Sequence, residues 1–323
     1  MSDQPLISSL IIGASGLLGR ATMRQLEKTN SSTLVQPARV NWRVTQQAEL
    51  DLVRETVTWL PSTDADQLEA YWCAGRATPR SSDEANVEER HFFETFLDAL
   101  RRALTPAQAH RLTIFFASSA GGIYGDTRNE VASERSSPNP ADSYGASKLH
   151  LESTLIKFAE ATSCRAVIGR ITSLYGTEQN PTKPQGLLGH VAMSVATGRP
   201  FDLFASLATT RNYLDVDTAA QIAVTHVRSQ HLSSTLLRNI CATHNVSIAE
   251  VLTWARQLSG RRVLVRQVAL ERAANSRIET CYPDEVASIS RTTLAEGMAQ
   301  LVRAARLRLL TPAVADSSTA WSA

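Results

Sequence analysis

Cysteine is scarce in this 323-residue chain, and the few there are lie far apart. Cys73, Cys164, Cys241 and Cys281 form no CxxC pair and have no histidine at metal-ligand spacing. That argues against a zinc site and against a disulfide framework, and leaves buried thiols in a reducing compartment. Net charge is nearly absent as well. The 33 Lys and Arg stand against 31 Asp and Glu, a formal +2, too weak a field to gather nucleic acid or an anionic membrane. No long apolar run opens the chain. Residues 6–12 are apolar but end in glycine and follow no basic segment, so they form neither a leader core nor a membrane span. The expectation is a soluble, cytoplasmic protein without a metal, whose anionic ligands are met by a few placed residues.

Apolar residues make up 43% of the chain, enough for a sizeable core. The length suits one large domain with a smaller one appended. Leu10-Ile11-Ile12 is the continuous apolar kind of strand found inside a parallel sheet. Strands over 6–12, 33–39, 40–44, 68–72, 112–117 and 166–171 are expected to alternate with helices over 17–28, 46–60, 87–104 and 143–161. Such alternation predicts a doubly wound α/β Rossmann sheet. The reading places the dinucleotide-binding domain at 1–176, continued by 213–246. A smaller mixed α/β substrate region is expected at 177–212 and 247–310. The tail at 311–323 is small and polar, and expected to be disordered.

Gly13-Ala14-Ser15-Gly16-Leu17-Leu18-Gly19 joins the first strand to the first helix. That context gives the glycine spacing its meaning. Gly13 permits a sharp turn, Gly16 lets backbone approach a pyrophosphate, and Gly19 lets helix pack on strand. The helix N-terminus turns free N–H groups toward phosphate. An acid that would accept from an NAD ribose is missing at the end of the second strand, which reads Gln36-Pro37-Ala38-Arg39. Arg39 is suited to a 2′-phosphate instead, so the cofactor is NAD or NADP with a weak lean to NADP.

Tyr144 and Lys148 are four residues apart on one helix face. A free phenol titrates near ~10, and a neighbouring ammonium favours its anion. The pair can therefore move a proton at a hydroxyl while hydride moves at nicotinamide. Around it lie Ser118-Ser119-Ala120-Gly121-Gly122-Ile123-Tyr124-Gly125, Gly169-Arg170-Ile171-Thr172-Ser173-Leu174-Tyr175-Gly176, and Thr210-Arg211-Asn212-Tyr213.

With these ordered motifs the chain resembles the extended short-chain dehydrogenases/reductases of the nucleotide-sugar epimerase/dehydratase family, over about residues 7–220 and more weakly to 306. The resemblance implies that Gly13, Ser15, Gly16, Leu17, Leu18 and Gly19, with Arg39, Ala74, Gly75 and Ser118, hold the dinucleotide. It implies Tyr144 as catalytic base or acid, with Lys148 holding the nicotinamide ribose and tuning Tyr144. Arg211 corresponds to the family arginine that meets the substrate's phosphates, a role suited to a guanidinium fork. A homodimer is also implied, through the helices at 87–104 and 143–161.

The chain departs from the family pattern in three ways. Ala120 stands where a substrate-binding Ser or Thr is usual, and Ser119 is the neighbour that replaces it if the strand end bulges. Ser173 replaces an Asn, so substrate contacts differ there. Gly121 and Gly122 stand where dehydratases carry an acidic pair, which ranks dehydration below epimerisation or reduction. The expected function is an NAD(P)-dependent nucleotide-sugar epimerase or ketoreductase. Reduction of a non-sugar carbonyl, or NADP binding without turnover, are the alternatives. Beside the Ala74-Gly75 turn, Cys73 reads as a packed thiol rather than a neighbour of the nicotinamide, and Arg76 reads equally as a cofactor-phosphate contact and as a solvated surface residue.

Overall fold

The computed structural model describes residues 5–29, 33–60, 65–75, 77–79, 81–128, 130–179, 186–229, 234–268 and 275–310. The expected disordered tail and Arg76 lie outside the described residues. The chain opens with β1 (Ile7–Ile12), buried at every position. It continues through α1 (Leu17–Thr29), β2 (Thr33–Pro37), α2 (Thr45–Trp59), β3 (Gln67–Trp72) and α3 (Asp83–Ala103). Next come the single turn α4 (Pro106–Ala109), β4 (Leu112–Ser119), the short α5 (Ala120–Tyr124), α6 (Ser143–Thr162) and β5 (Arg165–Ile171). The remainder comprises β6 (Ser173–Tyr175), α7 (Gly186–Thr197), β7 (Phe201–Leu203), β8 (Thr210–Asp215), α8 (Val216–Val227), β9 (Thr235–Ile240), β10 (Asn245–Ser247), α9 (Ile248–Ser259), β11 (Val265–Gln267) and α10 (Leu294–Leu310).

Six strands form a parallel sheet in the order β2-β1-β3-β4-β5-β9. Side chains of a strand alternate faces, and each face has its own core. Leu10 and Ile12 join Trp59, Trp72, Phe93, Phe96, Phe116 and Phe158 under α2, α3 and α6. Ile11 joins Leu18, Tyr71, Phe115, Val167 and Ala219 under α1 and α8. The chain runs outward from β1 to β2, then crosses back to β3 on the other side of β1. Strand order therefore reverses between β1 and β3, and ligands of open α/β sheets sit at such a reversal, beyond the carboxyl ends.

Residues 40–44 do not form the expected third strand. Their backbone donors are taken by side chains: Asn41 N–H by Asp51 at 2.9 Å and Arg43 N–H by the Asn41 amide oxygen at 3.2 Å. The sheet accordingly ends at β2. The third helix starts earlier than the apolar period indicates, at a cap: Ser82 accepts from Ala85 N–H, and Asp83 and Glu84 fill the first turn.

The described residues fall into two compact units, within Met1–Leu174, Arg211–Asn245 and Ala274–Arg291 for the first, and within Tyr175–Thr210, Val246–Ala273 and Thr292–Ala323 for the second. The second unit holds α7, α9 and α10 with the parallel pair β7 and β11. Residues 275–291 were expected in the substrate region but belong to the first unit. Hydrogen bonds place them there: Ile278 N–H donates to Asn245 at 2.8 Å, Cys281 N–H to Glu134 at 2.8 Å, and Arg238 to Glu285 at 2.6 Å.

Candidate functional site

The turn after β1 is made of backbone with little side chain in the way. Gly13 has φ +84°, and a Cβ there would lie 2.5 Å from Ala74 N. On Gly19 a Cβ would strike the Gly13 carbonyl. Gly16 donates its N–H to Gly13 O at 3.0 Å and, with Ser15, is exposed. A Cβ on Gly16 would meet only that carbonyl, so the space above the turn is open. Leu17 is half-buried and Leu18 packs in the core beneath. This is the cradle a pyrophosphate needs, and the residues present fit a dinucleotide.

From Gly13 the contacts run to the loop after β3. Gly75 lies 3.7 Å from Lys148 Nζ, measured from its ideal Cβ position. Asp142 opens α6 by accepting from Gly145 N–H at 2.7 Å. Tyr144 is then half-buried, and Lys148, one turn on, is buried. The ammonium lies 5.7 Å from the Tyr144 ring centre and 5.3 Å from that of Phe116. Burial alone would push Lys148 down, but Glu89, Tyr144 and Glu152 outweigh it and hold the lysine above its ordinary range. It stays charged at neutral pH.

The Tyr144 ring has its seat because Gly122 lacks a side chain. A Cβ at Gly122 would lie 3.0 Å from Tyr144 Cε1, and one at Gly145 would strike the Gly122 carbonyl. Ser118 and Ser119 face opposite ways. Ser118 is buried and donates to Glu152 at 2.6 Å, while Glu152 also takes Arg170 at 2.7 Å. Ser119 is half-buried and caps α5, accepting from Gly122 N–H at 3.2 Å. Its own hydrogen is thus not consumed by the cap. Ala120 is fully buried and offers no hydroxyl.

Arg39 is exposed beyond β2 and helps line a groove of about 510 Å³ with Leu34, Val35, Gln36, Pro37 and Glu55. That groove includes neither the glycine turn nor Tyr144. Ser173 is exposed on β6. Arg211 is half-buried on β8, where burial pushes its guanidinium down against the opposing charges of Tyr213 and Asp126. Cys73 sits 3.8 Å from the Thr22 hydroxyl, and burial pushes its thiol up to about 12, so it packs as a neutral thiol. Among the described residues, no group of three His, Cys, Asp or Glu could hold a metal ion, and no helix is long and apolar enough to cross a membrane.

Sequence reasoning missed Glu89. It is buried on α3 and accepts from Lys148 Nζ at 2.6 Å and from Ala77 N–H at 3.1 Å.

Residues 9–235 match the model of the NAD-dependent epimerase/dehydratase family. The chain belongs to that family. Among curated proteins it is similar to an uncharacterized UDP-glucose epimerase, YtcB, of Bacillus subtilis (strain 168), with 23% identity over 166 residues, 51% of this chain and 51% of that protein. The chain thus spans about half the length of that relative. Two solved structures share the epimerase/dehydratase fold. The UDP-glucose 4-epimerase of Thermus thermophilus, in complex with NAD, superposes with a TM-score of 0.75 at 21% identity, covering 93% of this chain and 99% of that one. RMD from Pseudomonas aeruginosa, complexed with NADPH, gives 0.74 at 16% identity over 93% and 99%.

Proposed function

We propose that the protein is an NAD(P)-dependent nucleotide-sugar epimerase or ketoreductase in which Tyr144 carries the proton. The observation that carries this reading is a buried Lys148 whose Nζ lies 5.7 Å from the ring centre of a half-buried Tyr144, one helical turn away. A bound nicotinamide dinucleotide supplies the hydride chemistry. Gly13, Ser15, Gly16, Leu17, Leu18 and Gly19, with Ala74 and Gly75, would hold its phosphates and backbone, and Lys148 its nicotinamide-side ribose. Tyr144 takes a proton from a sugar hydroxyl, or returns one to a carbonyl oxygen, with Lys148 favouring the phenolate. Ser119 is the hydroxyl we assign to the reacting oxygen. Ser118 has already given its hydrogen to Glu152, so any part it takes beside the cofactor is by its backbone or lone pairs. Arg211 is assigned to the phosphates of a nucleoside diphosphate and Ser173 to the sugar.

NADP is favoured over NAD. No acid ends β2, and Arg39 stands exposed just beyond it. Gly121 and Gly122 supply no acid for an elimination, which disfavours dehydration. The second unit is the candidate source of further substrate contacts, and α3 and α6 are the candidate dimer faces. Reduction of a non-sugar carbonyl is the second reading, favoured by the missing hydroxyl at buried Ala120.

The experiment is to denature the purified protein and identify released nucleotide by mass spectrometry, then titrate the protein with nucleoside diphosphates. Stoichiometric NAD supports an epimerase that retains its cofactor and overturns the NADP assignment. A protein that arrives empty and then binds NADPH supports an exchanging reductase. Absence of affinity for every nucleoside diphosphate rejects the sugar reading in favour of the second.

A further inference from the structure

Glu89 is a buried charge at the site that the proposed chemistry leaves without a part. It falls in register with Phe93, Phe96 and Leu100 on the apolar stripe of α3, and is 6% exposed, while Lys148 is 5% exposed. An unpaired carboxylate in that stripe would be strongly destabilising. Each of its oxygens has a partner, from different elements: Oε1 accepts from Lys148 Nζ on α6 at 2.6 Å, and Oε2 from Ala77 N–H, in the loop after β3, at 3.1 Å. The only other hydrogen-bond acceptor within reach of the Lys148 ammonium in the described structure is the Ala117 carbonyl, at 3.5 Å.

The charged and titratable groups facing Lys148 are Glu89 from α3, and Tyr144 and Glu152 from α6. Glu152 is already closed by Arg170 of β5 and Ser118 of β4. Glu89 is therefore the anion paired directly with the ammonium. A carboxylate so close both anchors Lys148 and opposes its pull on the phenol, because the field at Tyr144 is the sum of the two charges. We propose that Glu89 is a positioning residue of the Tyr144–Lys148 centre: it fixes the Lys148 ammonium between α3, α6 and the Ala77 loop, and offsets part of its effect on Tyr144. The proposal rests on the reading of Tyr144 as the proton carrier.

The test is an ultraviolet titration of phenolate in the cofactor-free full-length protein. Subtracting the trace of the matching Tyr144→Phe protein isolates Tyr144. Glu89→Gln keeps the shape and removes the charge, and Tyr144 should then titrate lower than in the parent, by about one pH unit. Glu89→Asp, which restores a carboxylate, should return the midpoint toward the parent. An unchanged or raised midpoint in Glu89→Gln overturns the proposal, since a purely structural role would not lower it. Should Glu89→Gln fail to fold, the double variant Glu89→Gln with Lys148→Met removes both charges. Its Tyr144 should titrate above the parent by less than about half a unit, the part of the lysine's effect that Glu89 leaves unopposed; a rise of more than about one unit, the full effect of an unopposed lysine, overturns the proposal. No turnover is needed for these measurements. Loss of the proton-carrier reading would appear separately, as an active Tyr144→Phe enzyme.

Discussion

The turn at residues 13–19 is made of backbone with side chains left out, whereas the centre at Lys148 is made of side-chain charge brought into the core. At Gly13 and Gly19 an added methyl group would strike neighbouring backbone. At Lys148 and Glu89 the charges are held 2.6 Å apart behind a nearly closed surface. The first region fails when atoms are added, and the second when charge is removed. Both meet at Ala74 and Gly75: the cradle leans on Ala74, while Gly75 borders the Lys148–Glu89 pair.

The sharpest way to separate them is Tyr144→Phe. Turnover should fall by about a hundred- to ten-thousandfold, with dinucleotide affinity, read by fluorescence titration, close to the parent. A variant that retains full turnover breaks the assignment. Gly13→Ala should do the reverse. Its positive φ and the Ala74 backbone leave no room, so on the order of 2 kcal/mol of stability should be lost, and dinucleotide affinity with it. Thermal melts with and without cofactor check this. Gly122→Ala crosses the two categories, being a glycine that serves a side chain. Its Cβ would press on the Tyr144 ring, and kcat should drop on the order of tenfold at little cost in cofactor affinity. The smallest effect is expected at the exposed Arg39. Arg39→Ser should weaken NADPH about fivefold and leave NADH unchanged, the size of one surface charge-assisted contact. Equal losses for both cofactors would remove Arg39 from the 2′-phosphate assignment.

The two regions also differ in how well the sequence reveals them. The glycine turn is local, with strand, turn and helix following one another inside a few residues, so spacing alone locates it. Tyr144 and Lys148 are legible for the same reason, being one turn apart on α6. Glu89 pairs with a residue 59 positions away, and beside Glu88 and Arg90 it passes for an ordinary solvated acid. One signal was present: a carboxylate in phase with Phe93, Phe96 and Leu100 must be buried, and a buried carboxylate requires a cation. Residues 40–44 misled in the opposite direction. Their alternation of apolar and polar side chains suits a strand, but Asp51 on α2 captures the backbone instead. The faces of Ser118 and Ser119 depend on where β4 gives way to α5, a boundary that the run of small residues does not mark.

The hydrogen bonds of Glu134 have a consequence for how the chain is made. Its carboxylate accepts from Asn239 N–H at 2.8 Å, from the Thr280 hydroxyl at 2.7 Å and from Cys281 N–H at 2.8 Å. Two of those three donors are encoded after the segment that builds α9 and β11. During synthesis the first unit therefore cannot complete itself when β9 leaves the ribosome. It waits for residues near 280, by which time much of the second unit has also emerged. Domains tend to fold as units in the order they are made, but here the ledger of the first is closed by a late stretch of the message, so a gene cut after residue 245 would yield a nascent sheet lacking its final clasp.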